Sequence, residues 1–156
     1  AGTLAIDHRP LDVAAVLEKA VADAAPFAQQ ERIELAREWP TDLGHVSGDA
    51  ARLHRLLGSM LDNAIRFTAP AQREGGQVLV HAAGDADTVT IIISDNGPGL
   101  PDDVAAVLSG QQAATAAGGI GLALARQLVT AHGGVMDVIT EKGQGTMVRI
   151  ELPRRS

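Results

Sequence analysis

The chain has no cysteine, no tyrosine, one tryptophan and two phenylalanines in 156 residues. Without a thiol there is no disulfide frame, no thiolate metal site and no cysteine nucleophile, as expected of a reducing compartment, so the cytoplasm is the expected location. Aromatics make up 2% of the chain against 46% hydrophobic residues. The core must therefore be aliphatic, and ligand binding by ring stacking is not expected. Dense basic runs are missing as well, and the net charge of −6 argues against a nucleic acid or direct membrane contact as the main partner. No apolar stretch approaches the roughly 18 to 20 residues needed to span a bilayer, and Ala1 to His8 lacks a signal-peptide pattern.

What is present fits a single domain over residues 1–156, long enough to bury about two-thirds of its unfolded surface. Val16, Leu17, Ala20, Val21 and Ala24 follow helical spacing after Asp12, a suitable N-cap, and Pro26 is expected near the end of that helix. Ile33 to Ala36 alternates as a strand does, and His45-Val46 suggests another. Leu53, Leu56, Leu57, Met60, Leu61, Ala64 and Ile65 form an apolar helix stripe behind Asp49, which must lie on a sheet. Gln77 to Ala82 and Thr88 to Ser94 read as a hairpin. A third helix is expected from Gly121 to Gly133-Gly134. Val135 to Thr140 and Thr146 to Leu152 form a last hairpin, with Arg154-Arg155-Ser156 as a tail. Helices able to cover one sheet face give an α+β two-layer sandwich with a mixed, mostly antiparallel sheet. The βαβ alternation of a Rossmann fold is missing.

Two glycine clusters and one asparagine carry the functional signal. Asp95-Asn96-Gly97-Pro98-Gly99 follows the apolar run Ile91-Ile92-Ile93, and Gly118-Gly119-Ile120-Gly121 opens the third helix. Glycines in these places let backbone approach a ligand, and a helix N-terminus offers free N–H groups to an anion, so a phosphorylated ligand is expected. Ser59, Asn63 and Phe67 are spaced four apart on one helix stripe, with Arg66 beside them. An amide oxygen on a rigid helix suits Mg²⁺, which completes its shell with phosphates and water, and Asn63 is the candidate. Asp95 is an acceptor-only group at a strand end, suited to a hydrogen-bond donor on a ligand; taken alone, an Asp-Asn-Gly turn explains it equally well.

Taken in order, Met60 to Thr68, Asp95 to Leu100, Gly119-Ile120-Gly121-Leu122-Ala123-Leu124 and Gly145-Thr146 resemble the N box, G1 box, G2 box and terminal strand of the catalytic and ATP-binding domain of sensor histidine kinases. The resemblance covers almost the whole chain. It implies the Bergerat fold shared with gyrase, Hsp90 and MutL ATPases, with about three helices on one sheet face. It also implies that Asn63, Arg66, Phe67, Asp95, Gly97, Gly99, Gly119, Gly121, Leu122 and Thr146 bind ATP, with Asn63 on Mg²⁺ and Thr146 reaching the adenine and Asp95. Partners implied are a histidine-bearing dimerisation domain, expected upstream of Ala1 and absent here, and a response regulator reached through the longer protein, which other segments would anchor if it is membrane-bound.

The chain also departs from that pattern. Ser59 stands where the family usually has Asn and gyrase-like ATPases have Glu, and a hydroxyl cannot activate water as a carboxylate does. This argues against autonomous hydrolysis. Leu100 to Ala117 contains no Phe, Lys or Arg, its only charges are Asp102 and Asp103, and Ala117 replaces the first glycine of the G2 box. None of His8, His45, His54, His81 and His132 is followed by an acid, so none has the family's phosphoacceptor setting. The expected activity is transfer of the ATP γ-phosphoryl group to a histidine elsewhere. A pseudokinase scaffold and a gyrase-like conformational ATPase are the alternatives.

Overall fold

The computed structural model describes residues 6–68, 75–97, 119–141 and 145–155. Within them the order is β1 (Arg9–Asp12), α1 (Val13–Gln30), β2 (Glu34–Glu38), β3 (His45–Gly48), α2 (Ala50–Thr68), β4 (Gln77–Gly84), β5 (Thr88–Asp95), α3 (Gly119–Ala131), β6 (Val135–Glu141) and β7 (Gly145–Arg155). The seven strands form one sheet in the order β1-β3-β7-β5-β4-β2, with β6 also paired to β7. Only β2 and β4 run parallel, so the sheet is mixed and mostly antiparallel.

Local chemistry explains the helix starts. Asp12 has an extended backbone and accepts from the Ala14 N–H at 3.0 Å, satisfying a donor that the first turn of α1 leaves open. Asp49 does the same for α2, accepting from the Arg52 N–H at 3.1 Å, and that bond holds its carboxyl below the usual range. α1 passes through Pro26 and ends at Gln30. The ring removes one helical hydrogen bond, but the carbonyl it strands belongs to exposed Ala22, where water replaces the lost partner.

α2 is the central packing element. It buries Leu53, Leu56, Leu57, Met60, Leu61, Ala64 and Ile65, each large side chain contributing about 1.5–3 kcal/mol by removal from water. Opposite it, strand alternation turns Val78, Val80 and Ala82 of β4, Val89, Ile91 and Ile93 of β5, and Val148, Ile150 and Leu152 of β7 toward the helices. The buried core of the described residues is aliphatic, with Phe27 and Trp39 packed partly buried at its margin.

Two expectations from sequence are corrected. Arg154 and Arg155 are not a tail: β7 continues through them, pairing Val46 with Arg154 and His45 with Arg155. β7 thus carries β6 beside its first half and β3 beside its end. The third helix begins at Gly119, two residues before Gly121. Its far end is tied to α2 by His132, which is 5% exposed. The ring Nε2 accepts from the Asp49 N–H at 3.0 Å while Nδ1 donates to the Leu128 carbonyl at 2.9 Å.

Candidate functional site

Asp95 closes β5 in step with Val89, Ile91 and Ile93, so alternation aims its carboxylate at the helix-covered face. There Oδ1 accepts two N–H groups, from Gly97 at 2.9 Å and from Thr146 at 3.2 Å. Burial pushes the carboxyl above its usual value, and those two bonds, with the nearby Thr68 hydroxyl, pull part of the way back. Thr146 is the register partner of Asp95 and is buried, its hydroxyl 3.1 Å from that of Thr140. Asn96 pins the following turn to β4: its Oδ1 accepts from the Gln77 N–H and its Nδ2 donates to the Gly75 carbonyl, both at 2.8 Å.

The end of α2 reaches the same place. A Cβ added to Gly97 would lie 3.1 Å from Thr68 Cα, Thr68 Oγ1 and Asp95 Oδ1 alike, so glycine there lets helix end and strand end meet. Asn63 lies five residues before Thr68, about 7.5 Å along the helix axis. Asn63 and Phe67 are half-buried, Ser59 and Arg66 are exposed, and Arg66 lies 3.5 Å from Asp62 in an exposed i,i+4 pair. Such a pair holds by less than about 1 kcal/mol, leaving the guanidinium available to a stronger anion. Among the described residues no three His, Cys, Asp or Glu side chains are grouped to hold a metal by themselves.

α3 runs antiparallel to α2. His132 at its end meets Asp49 at the start of α2, and eight residues earlier Leu124 shares a groove of about 670 Å³ with Leu56 and Ser59. Gly119 and Gly121 form the N-terminal turn of α3. The first N–H groups of a helix have no internal partner and favour anions. Gly99 and the segment Leu100 to Ala117 lie outside the described residues. Leu122 falls within α3, on its second turn.

This arrangement, with a buried acid at a strand tip beside the end of α2, is matched by comparison. The family described as histidine kinase-, DNA gyrase B-, and HSP90-like ATPase matches residues 48–156. The chain belongs to this family. Its relatives include the adaptive-response sensory kinase SasA of Prochlorococcus marinus, 31% identical over 153 residues that cover 92% of this chain and 40% of the relative. The sensor protein DivL of Caulobacter vibrioides is 34% identical over 155 residues, covering 98% of this chain and 20% of DivL. The chain therefore spans well under half the length of these relatives. Among solved structures, the mycobacterial sensor histidine kinase MprB superposes with a TM-score of 0.72 at 28% identity, covering 96% of this chain and 99% of that one. The catalytic domain of histidine kinase ThkA matches the fold with a TM-score of 0.79 at 20% identity, covering 95% and 98%. Fold and sequence are those of the ATP-binding catalytic domain of sensor histidine kinases. No helix among the described residues is long and apolar enough to cross a membrane.

Within this ATP-binding domain, the structure gathers Asp95, Gly97 and Thr146 into one hydrogen-bonded cluster and sets Asn63 and Phe67 on α2. Two members of the cluster escaped the sequence reading. Thr68 is fully buried, and its hydroxyl completes no hydrogen bond. Gly145 has φ +106°, and a Cβ on it would collide with the Asp95 carbonyl. Thr68 ends the Met60 to Thr68 motif and Gly145 opens the Gly145-Thr146 motif, but only tertiary contact reveals what they touch.

Proposed function

We propose that this domain binds Mg·ATP and donates its γ-phosphoryl group to a histidine on a separate dimerisation domain of a longer sensor kinase. The observation carrying the reading is the fixed Asp95 carboxylate. Its Oδ1 is occupied by the Gly97 and Thr146 N–H groups, which leaves Oδ2 for the adenine amino group. Guanine would oppose an oxygen to that acceptor, so the same atom selects the base. Thr146 borders the base from β7, and the N–H groups around Gly119 and Gly121 receive the phosphates.

Asn63 is the proposed Mg²⁺ ligand, its amide oxygen being the hard donor such a cation takes beside phosphate oxygens. An ion held by Asn63 would supply positive charge to the phosphates as the γ-phosphoryl group is transferred. Arg66 adds a positive charge once it leaves Asp62. The acceptor imidazole nitrogen attacks the γ-phosphorus, the bond to the bridging oxygen breaks and ADP leaves. The domain contributes positioning and charge stabilisation rather than a base, in keeping with Ser59.

Two solved relatives support this reading. The full-length kinase ShkA, 28% identical with a TM-score of 0.78 and covering all of this chain, was solved with the nucleotide analogue AMPPNP. ThkA, alike in fold, was solved in complex with the response regulator TrrA, and a regulator is the proposed downstream partner here. The pseudokinase scaffold rests on Ser59 and on the lack of Phe, Lys and Arg from Leu100 to Ala117, and the relatives add no evidence for it. The deciding experiment supplies labelled ATP and Mg²⁺ to the full-length parent protein. Acid-labile, base-stable phosphate on histidine is expected, and ATP binding without any labelling would overturn the transfer step.

A further inference from the structure

Packing leaves one buried polar group of the site without a purpose. Thr68 ends α2 with 0% exposure, and its Oγ1 makes no completed hydrogen bond. A valine would fill the same volume, and a β-branched residue gains nothing at a helix end, so packing does not account for the hydroxyl. Leaving a buried donor unpaired is costly unless something else pairs it.

The nearest chemistry is the Asp95 carboxylate. Oγ1 and Asp95 Oδ1 each lie 3.1 Å from the position of a Gly97 Cβ, so the hydroxyl and carboxylate flank the same bare glycine. An ionised carboxylate offers about four acceptor positions, two on each oxygen. Gly97 and Thr146 fill those on Oδ1. Oδ2 keeps two: one suits the adenine amino group and the other suits a hydroxyl.

We propose that Thr68 is a positioning residue of the adenine pocket, its hydroxyl donating to Asp95 Oδ2 when a nucleotide is bound and fixing that oxygen toward the base. This rests on the nucleotide reading given above. In the free domain the hydroxyl already acts on the Asp95 carboxyl from beside it, pulling it down, without a completed bond; adenine orders the carboxylate and completes that bond. Thr68 acts through Asp95 and does not touch the reacting phosphate.

The test uses Thr68→Val, which keeps shape and removes the donor, and Thr68→Ser, which keeps the donor. Each variant of the 156-residue chain is titrated with Mg·ADP by calorimetry and melted without nucleotide. Thr68→Val is expected to bind ADP about tenfold more weakly, the scale of one hydrogen bond to a charged group. It is also expected to melt no lower than the wild type, because an unpaired buried hydroxyl has been removed. Thr68→Ser is expected to bind within about twofold of the wild type. Wild-type affinity in Thr68→Val overturns the proposal. So does a Thr68→Ser variant as weak as Thr68→Val, which points to methyl packing, or a weakened Thr68→Val that also melts lower, which points to a structural bond of the hydroxyl already made without nucleotide. If the wild type itself binds no ADP at millimolar concentration, the nucleotide reading fails, and this inference with it.

Discussion

Gly145 passes beneath Asp95 so closely that its missing Cβ is the space occupied by the Asp95 carbonyl oxygen. The residue enters β7 at φ +106°, a conformation L side chains rarely adopt. The entrance of the last strand and the tip of β5 therefore fit together only through a glycine, and the fit sets the height at which Thr146 meets Asp95.

Gly145→Ala should strain both contact and backbone. The left-handed conformation alone costs about 1–2 kcal/mol, with the collision added. A lower melting temperature and a loss of ADP affinity beyond tenfold are expected. Unchanged calorimetric titration would show that the Asp95 carbonyl yields without moving its carboxylate.

Asp95→Asn should separate stability from function. Burial raises the folded carboxyl above its unfolded value of 3.8, so its favourable contribution is present below that value and is lost as pH rises through the folded pKa. Asparagine still accepts from Gly97 and Thr146, so the variant should be more stable than the wild type at pH 7 and lose that advantage near pH 4. Its Nδ2 would face the adenine amino group donor to donor, weakening ADP binding by roughly 10- to 100-fold. Unfolding curves at the two pH values, with titration at pH 7, check both halves.

His132 and Gly48 should be coupled. His132→Ala strands the Asp49 N–H and opens a cavity, an expected loss of about 2–4 kcal/mol. A Cβ on Gly48 would strike the imidazole ring, so Gly48→Ala should destabilise the wild type yet be largely tolerated once the ring is gone. A double-mutant cycle by denaturant unfolding measures this, and additive effects would place the two residues out of contact.

Asn63→Ala should abolish the gain in ATP affinity that Mg²⁺ provides. In the wild type, chelation with EDTA is expected to weaken ATP binding at least tenfold, whereas the variant should bind ATP about equally with and without chelator. A variant still responsive to Mg²⁺ would move the metal role to another residue.

Sequence revealed what local period and chain order encode. The stripe from Leu53 to Ile65 identified α2 and its buried face, Ile91 to Ile93 placed Asp95 at a strand tip, and Gly133-Gly134 marked the end of α3. What it did not reveal depends on partners remote in the chain. β1 has four residues including Pro10 and no alternation, and it exists as an edge strand against β3, where a missing N–H is tolerated. Arg154 and Arg155 look like a polar end because their role is backbone pairing with His45 and Val46. The burial of Thr68 comes from the approach of Gly97, and the tether at His132 depends on Asp49, 83 positions away.

The last two paired residues of β7 have a practical consequence. Through them the β1–β3 pair is stitched to the remaining strands, since among the described residues β3 pairs with the larger sheet only at Arg154 and Arg155. A domain trimmed after Leu152 would keep every motif of the nucleotide site and still come unfastened at one edge, freeing the ribbon from which α1 and α2 set out. Where such a fragment is cut matters as much as what it contains.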